Sequence, residues 1–269
     1  MPTAIEIAEY RPIMDFFTRT VDQHFNLDAA SPIKMLEIGC GPGALTTVIK
    51  KHYKDKITIT AIDPSDTSIV TAKKETTEDI DFQVSGIFDW NNDVKYDLIF
   101  FSKSLHHCVP VDKAVQIAHS LMTDNGIIIS EEVFPDDVNP ASISWFFDRL
   151  DLIKKCGLVK HRHKHEGSHY DWEANLLNEK LSHEDRWIKF GHSDCATSAK
   201  VRNAIHAEFG ESKVKFDRAI PFYFHFLVLA GLVDTDEGLS ALKEFISQEE
   251  RAIKEGAITA LGGNYVIYK

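Results

Sequence analysis

Lys34-Met-Leu-Glu-Ile-Gly-Cys-Gly-Pro-Gly-Ala44 decides the reading of this chain: a short apolar run, a carboxylate, then three glycines at alternate positions. The run from Lys34 to Ile38 has the length and composition of a buried strand, and the residues from Ala44 to about Lys54 suit a helix. Gly39, Gly41 and Gly43 therefore occupy a strand-to-helix turn. Glycine tolerates positive φ, and without a side chain it lets another molecule approach the backbone closely.

The rhythm continues outward from that turn. Ile57 to Ile62 reads as a second strand, and Asp63-Pro64-Ser65-Asp66 ends it, with Ser65 or Asp66 placed to cap a helix to about Glu78. A third strand follows at Ile80 to Val84 and a fourth at Tyr96 to Phe101. Asp112 is placed to cap a helix to about Leu121, Asp124-Asn125-Gly126 reads as a turn, and Ile127 to Ser130 as a fifth strand. Strands alternating with helices form right-handed parallel βαβ units. The expected fold class is α/β: a doubly wound, mostly parallel seven-stranded sheet with helices on both faces, plus an inserted helical cap. Lys213 to Ile220 and Asn264 to Tyr268 supply the last two strands.

Four regions follow: 1–30, an N-terminal helical lid; 31–133, the core; 134–210, the cap; 211–269, the completion of the sheet. In the first, Ile13, Phe16, Phe17, Val21 and Phe25 recur at helical spacing, with Pro12 suited to the first turn. In the last, a helix is expected from about Glu237 to Glu255, while Pro221 to Val233 fits either a strand or a buried helix.

Composition narrows the partners. The chain has 269 residues, 43% hydrophobic and 26% charged, with formal net charge −11. An acidic chain without a basic run is a poor match for nucleic acid or an anionic membrane, which leaves room for a neutral, cationic or small partner, and a small-molecule substrate is the expectation. Cys40, Cys108, Cys156 and Cys195 stand at no short paired spacing, so neither a zinc knuckle nor a disulfide framework is expected, and no metal. Free thiols suit a reducing, cytoplasmic setting. The run Pro221 to Val233 is too short to span a bilayer.

Asp63 lies twenty residues beyond Gly43, at the tip of the neighbouring strand, where a carboxylate can accept hydrogen bonds from two ribose hydroxyls. The ligand thus reads as a nucleoside. Gly39-x-Gly41-x-x-Ala44 also fits the dinucleotide fingerprint, which keeps an NAD(P)-dependent oxidoreductase as an alternative. Two points oppose a diphosphate. Pro42 removes an N–H donor from the turn, and the Glu37 carboxylate would repel phosphate while attracting an ammonium group.

These blocks, followed by Tyr96-Asp-Leu-Ile-Phe-Phe-Ser-Lys-Ser-Leu-His106-His107 and Asp124-Asn-Gly126, resemble the class I (Rossmann-like) S-adenosylmethionine (SAM)-dependent methyltransferase family over about residues 33–132. The resemblance implies SAM as cofactor and an O or N atom of a small molecule as methyl acceptor. It also implies that Gly39, Gly41 and Gly43 line the methionine and ribose, Glu37 faces the ammonium, Asp63 holds the ribose hydroxyls and Pro64 packs beside the adenine. Ile87 and Phe88 would wall the adenine, and Ser102 and Lys103 would meet the methionine end. Gly86 stands where the family commonly has an acidic residue. A non-catalytic SAM-fold binding subunit is a further alternative, against which the intact glycines and Asp63 weigh.

His106 and His107 follow the fourth strand and are the catalytic candidates, because imidazole titrates near neutral pH. Glu131, Trp145, Tyr170 and Trp172 are the substrate-binding candidates, a carboxylate for a cationic acceptor and aromatic walls for an apolar one. The histidine-rich stretch from His161 to His169 reads as a solvated or substrate-facing loop rather than a metal site, since Arg162 and Lys164 interleave.

Overall fold

The computed structural model describes residues 3–91, 93–160, 172–190 and 195–269. Seven strands form one sheet: β1 (Ile33–Ile38), β2 (Ile57–Asp63), β3 (Asp81–Val84), β4 (Tyr96–Ser102), β5 (Met122–Val133), β6 (Val214–Ile220) and β7 (Gly262–Tyr268). Their order is β3-β2-β1-β4-β5-β7-β6, with β7 antiparallel to both neighbours. The expected mostly parallel, doubly wound sheet is therefore the one observed. The strand order reverses between the parallel neighbours β1 and β4, and in such sheets ligands bind in the crevice outside the carboxyl ends at that switch point.

Alternate residues of the central strands feed two cores. Met35, Leu98 and Phe100 face α1 (Ala4–His24) and α2 (Ala44–Tyr53), while Leu36, Ile99 and Phe101 face α4 (Val111–Leu121) and α8 (Ser198–Phe209). Period-two alternation with both faces apolar is what a sheet covered on both sides requires. The stretch expected as a cap thus contributes α8 to the sheet layer, through Val201, Ala204 and Ile205. A third core lies beyond the sheet. It joins α5 (Pro140–Lys155), α7 (His183–Phe190), α9 (Tyr223–Leu229) and α10 (Asp236–Lys254) around Phe146, Phe147, Trp187 and Tyr223. Each such ring contributes about 1.5–3 kcal/mol of burial. The run from Pro221 to Val233 is mostly the buried helix α9.

Three boundaries differ from expectation. α1 begins at Ala4, because Thr3 and Glu6 form a reciprocal capping box, so Pro12 sits inside the helix rather than in its first turn. Pro110 occupies the N-cap of α4, and Asp112 lies in the first turn. β5 starts at Met122, with a register shift between Tyr96 and Leu98 absorbing the residues read as a turn. Among the described residues no helix is long and apolar enough to cross a membrane.

Candidate functional site

The glycine turn is built as its spacing requires. Gly39, Gly41 and Gly43 all take positive φ (79°, 53° and 74°), but for different reasons. A Cβ on Gly39 would stand 2.5 Å from the Ser104 Cβ, and one on Gly43 would stand 2.7 Å from the Phe82 ring. Those two glycines let β4 and β3 approach. A Cβ on Gly41 would meet nothing within 4 Å, so this position faces open space at the crevice. Ser104 fastens the turn by donating to the Ile38 carbonyl at 2.6 Å.

Asp63, the last residue of β2, spans the same turn. Its Oδ2 accepts from the Gly41 N–H and its Oδ1 from the Ser65 N–H, both at 2.9 Å. A carboxylate oxygen has two lone-pair sites, so each oxygen keeps capacity for a hydroxyl. Ser65 also caps α3 (Asp66–Glu75). Ile87 is buried near the β2 and β3 tips, and Phe88 is 37% exposed, an apolar surface for a ring to cover.

Glu37 carries the strongest signal. It lies on β1, 2% exposed, and its Oε2 is buried without a hydrogen-bond partner. Burial pushes its carboxyl up to about 7, the Thr46 hydroxyl opposing the shift and the nearby Asp63 charge adding to it. A sealed carboxylate with an orphaned oxygen costs free energy until a cation reaches it. An open turn, a carboxylate at the neighbouring strand tip and an unsatisfied buried acid fit a nucleoside that carries an ammonium group.

The tip of β4 completes the crevice. The Ser102 hydroxyl donates to Glu131 Oε2 at 2.6 Å, and the Lys103 N–H donates to the Glu131 carbonyl at 2.8 Å. Lys103 holds the left-handed conformation, φ 58°. Glu131 is buried, and burial raises its carboxyl above the usual range while the Lys103 charge opposes the shift. Helix α1 lies over this end. Lys103 Nζ is 4.0 Å from Glu9 Oε1 and 5.8 Å from the Tyr10 ring centroid. Glu9 also contacts His225 Nδ1. Burial raises the Tyr10 phenol, and the charges of Glu9, Glu6, Glu37 and Glu131 push the same way.

His106 and His107 separate in character. His106 is 5% exposed, and its Nδ1 lies 2.6 Å from Glu132 Oε2; the other Glu132 oxygen accepts from the Ser130 hydroxyl at 2.8 Å. His107 is exposed and its Nδ1 lies 3.1 Å from Cys195 Sγ. Trp145 packs with the helical core, its ring 5.4 Å from Phe245 and under the Arg149 guanidinium. Trp172 opens α6 (Trp172–Leu176), whereas Tyr170 and the stretch from His161 to His169 lie outside the described residues. Sequence reasoning missed Glu9, Tyr10 and Cys195. Glu9 had a usable signal, an acid at a buried position of an amphipathic helix; Cys195 had none, since its histidine partner is 88 residues away.

Residues 36–128 match a family described as a methyltransferase domain. Over 124 residues the chain is 32% identical to protein 235L of Invertebrate iridescent virus 6, which bears a methyltransferase name; the match covers 41% of this chain and 46% of that protein. It is 21% identical over 187 residues to CRG1 of Saccharomyces cerevisiae, named as an S-adenosylmethionine-dependent methyltransferase, covering 67% and 55%. The chain thus spans about half the length of these curated relatives. The fold superposes on the plantazolicin methyltransferase BpumL, solved with a pentazolic desmethylPZN analog and S-adenosylhomocysteine (SAH). The TM-score is 0.52 at 14% identity, covering 97% of this chain and 82% of that one.

Proposed function

We propose that this chain is a class I SAM-dependent methyltransferase and that it transfers a methyl group from SAM to an O or N atom of a small molecule; the methyltransferase-domain match over residues 36–128 supports this reading. The observation that carries the proposal is the buried Glu37 carboxylate with its unpartnered oxygen, beside an open Gly41 and a doubly held Asp63. When bound, SAM supplies a methyl group already activated on a sulfonium.

What the chain itself does follows from its geometry. Glu37 would hold the ammonium and Asp63 the ribose hydroxyls, with Gly39, Gly41 and Gly43 shaping the bed. Pro64, Ile87 and Phe88 would flank the adenine, and Ser102 and Lys103 the methionine end. Helix α1, latched by Glu9 against Lys103 and His225, would exclude water from the crevice. Alignment and exclusion of water are enough for an acceptor whose nucleophilic atom arrives unprotonated. The proposal therefore does not depend on the catalytic role that sequence suggests for His106 and His107. A small acceptor suits the net charge of −11, which opposes a polyanion.

The experiment is incubation of the protein with methyl-labelled SAM and a pool of small metabolites, read by mass spectrometry. The expected result is one acceptor that gains a single labelled methyl, with SAH formed in equal amount. SAM binding without transfer to any acceptor would reduce the protein to a binding subunit, and transfer only to nucleic acid in a parallel incubation with RNA and DNA would contradict the acceptor class.

A further inference from the structure

The turn after β4 gathers two kinds of metal-binding donor. His106 and His107 are consecutive on the 3-10 turn Leu105–His107, their ring centroids 4.2 Å apart. Cys195 approaches from the segment preceding α8, where the Ala196 N–H donates to the His106 carbonyl at 2.8 Å and pins the two segments together. One ligand atom from each of His106, His107 and Cys195 lies within 4.8 Å of the others. Ligands around a tetrahedral zinc stand roughly 3.5 Å apart, given its bond lengths. Small side-chain rotations would close the difference.

We propose that His106, His107 and Cys195 bind one zinc ion. Two features beyond proximity support this. First, the Glu132 carboxylate holds His106 Nδ1 at 2.6 Å and is itself held by Ser130, the carboxylate–histidine arrangement that orients a ring so that Nε2 ligates. Second, the donor set of two imidazoles and one thiolate suits a borderline-soft divalent ion, zinc before magnesium or calcium. Coordination comes from His106 Nε2, His107 Nδ1 and Cys195 Sγ, the thiol releasing its proton on binding. Three protein ligands leave a fourth position. A cavity of about 240 Å³ touches both His106 and Cys195, with Asp136, Trp187 and Thr197 among its walls, and gives room for a water or a ligand atom there. In this reading the histidine pair is a set of ligands and not a base.

The test uses the full chain, washed with chelator and titrated calorimetrically with zinc chloride alone. Cobalt chloride substitution supplies a second readout through its thiolate-to-cobalt absorption. The expected result is one zinc per chain and a thiolate band with cobalt. Cys195→Ser should weaken zinc at least about 100-fold and abolish the band, and Glu132→Gln should weaken it about 10–100-fold. Cys156→Ser, an exposed cysteine elsewhere, should leave both unchanged. Equal SAM affinity in wild type and Cys195→Ser would show that the variant is folded. Absence of stoichiometric zinc, or zinc retained by Cys195→Ser but lost when His161, His163 and His165 are replaced by alanine, would overturn the assignment.

Discussion

Glu37 at the end of β1 and Glu249 on α10 are both sealed inside the molecule, 2% and 0% exposed, and their surroundings are opposite. Glu249 accepts from the backbone N–H groups of Phe222, Tyr223 and Phe224, which open α9. Burial pushes its carboxyl up to about 8 although those three donors pull it down. Glu37 Oε2 accepts no hydrogen bond, and only the Thr46 hydroxyl stands near the carboxyl as a donor. A buried acid that saturates its acceptors completes the fold, whereas one that leaves an acceptor bare keeps capacity for a further donor.

The largest effect that could break this contrast is on stability. Glu249→Ala leaves three helix-start N–H groups unpaired, so denaturant unfolding should show a loss of at least about 3 kcal/mol. Glu37→Gln removes a buried charge that the folded state disfavours, and should raise the stability of the ligand-free protein by about 2–3 kcal/mol at neutral pH. Equal losses at both sites would erase the distinction.

Next in size is a pH dependence. The Glu37 carboxyl ionises near 4.5 in the unfolded chain and near 7 in the folded one. Below 4.5 both states hold the proton and the group makes no difference. Between 4.5 and 7 the folded state holds it more tightly, so the stability it contributes is lost as pH rises through that window. Unfolding free energies at pH 5 and pH 8 should therefore diverge between wild type and Glu37→Gln by about 2–3 kcal/mol, the variant being favoured at pH 8. A pH-independent gap would mean that Glu37 has a partner.

The smallest effect sharpens the account of the turn. Gly41→Ala, with φ 53° and open space around its Cβ, should cost about 1 kcal/mol. Gly39→Ala should cost clearly more in the same unfolding assay, because its Cβ would overlap Ser104.

The two regions also differ in how legible they were. The parallel half could be read because its signals are local: β-branched runs, capping residues, and Asp63 twenty residues beyond Gly43. The roof of the site could not, because its contacts are remote. Glu9 meets His225 across 216 residues and His107 meets Cys195 across 88, and no local pattern encodes either pairing. α8 was hidden in a different way. Its apolar stripe of Val201, Ala204 and Ile205 is short and set among polar residues, so the helix that covers the sheet beside α4 resembled the cap that precedes it.

Calorimetric titration of the ligand-free chain with SAM, run beside Glu37→Gln, is the most direct trial of the site. The account predicts one SAM per chain for the wild type and an affinity about 10–100-fold lower for the variant, corresponding to about 1.4–2.7 kcal/mol. No saturable SAM binding, or equal affinity in the two proteins, would contradict it.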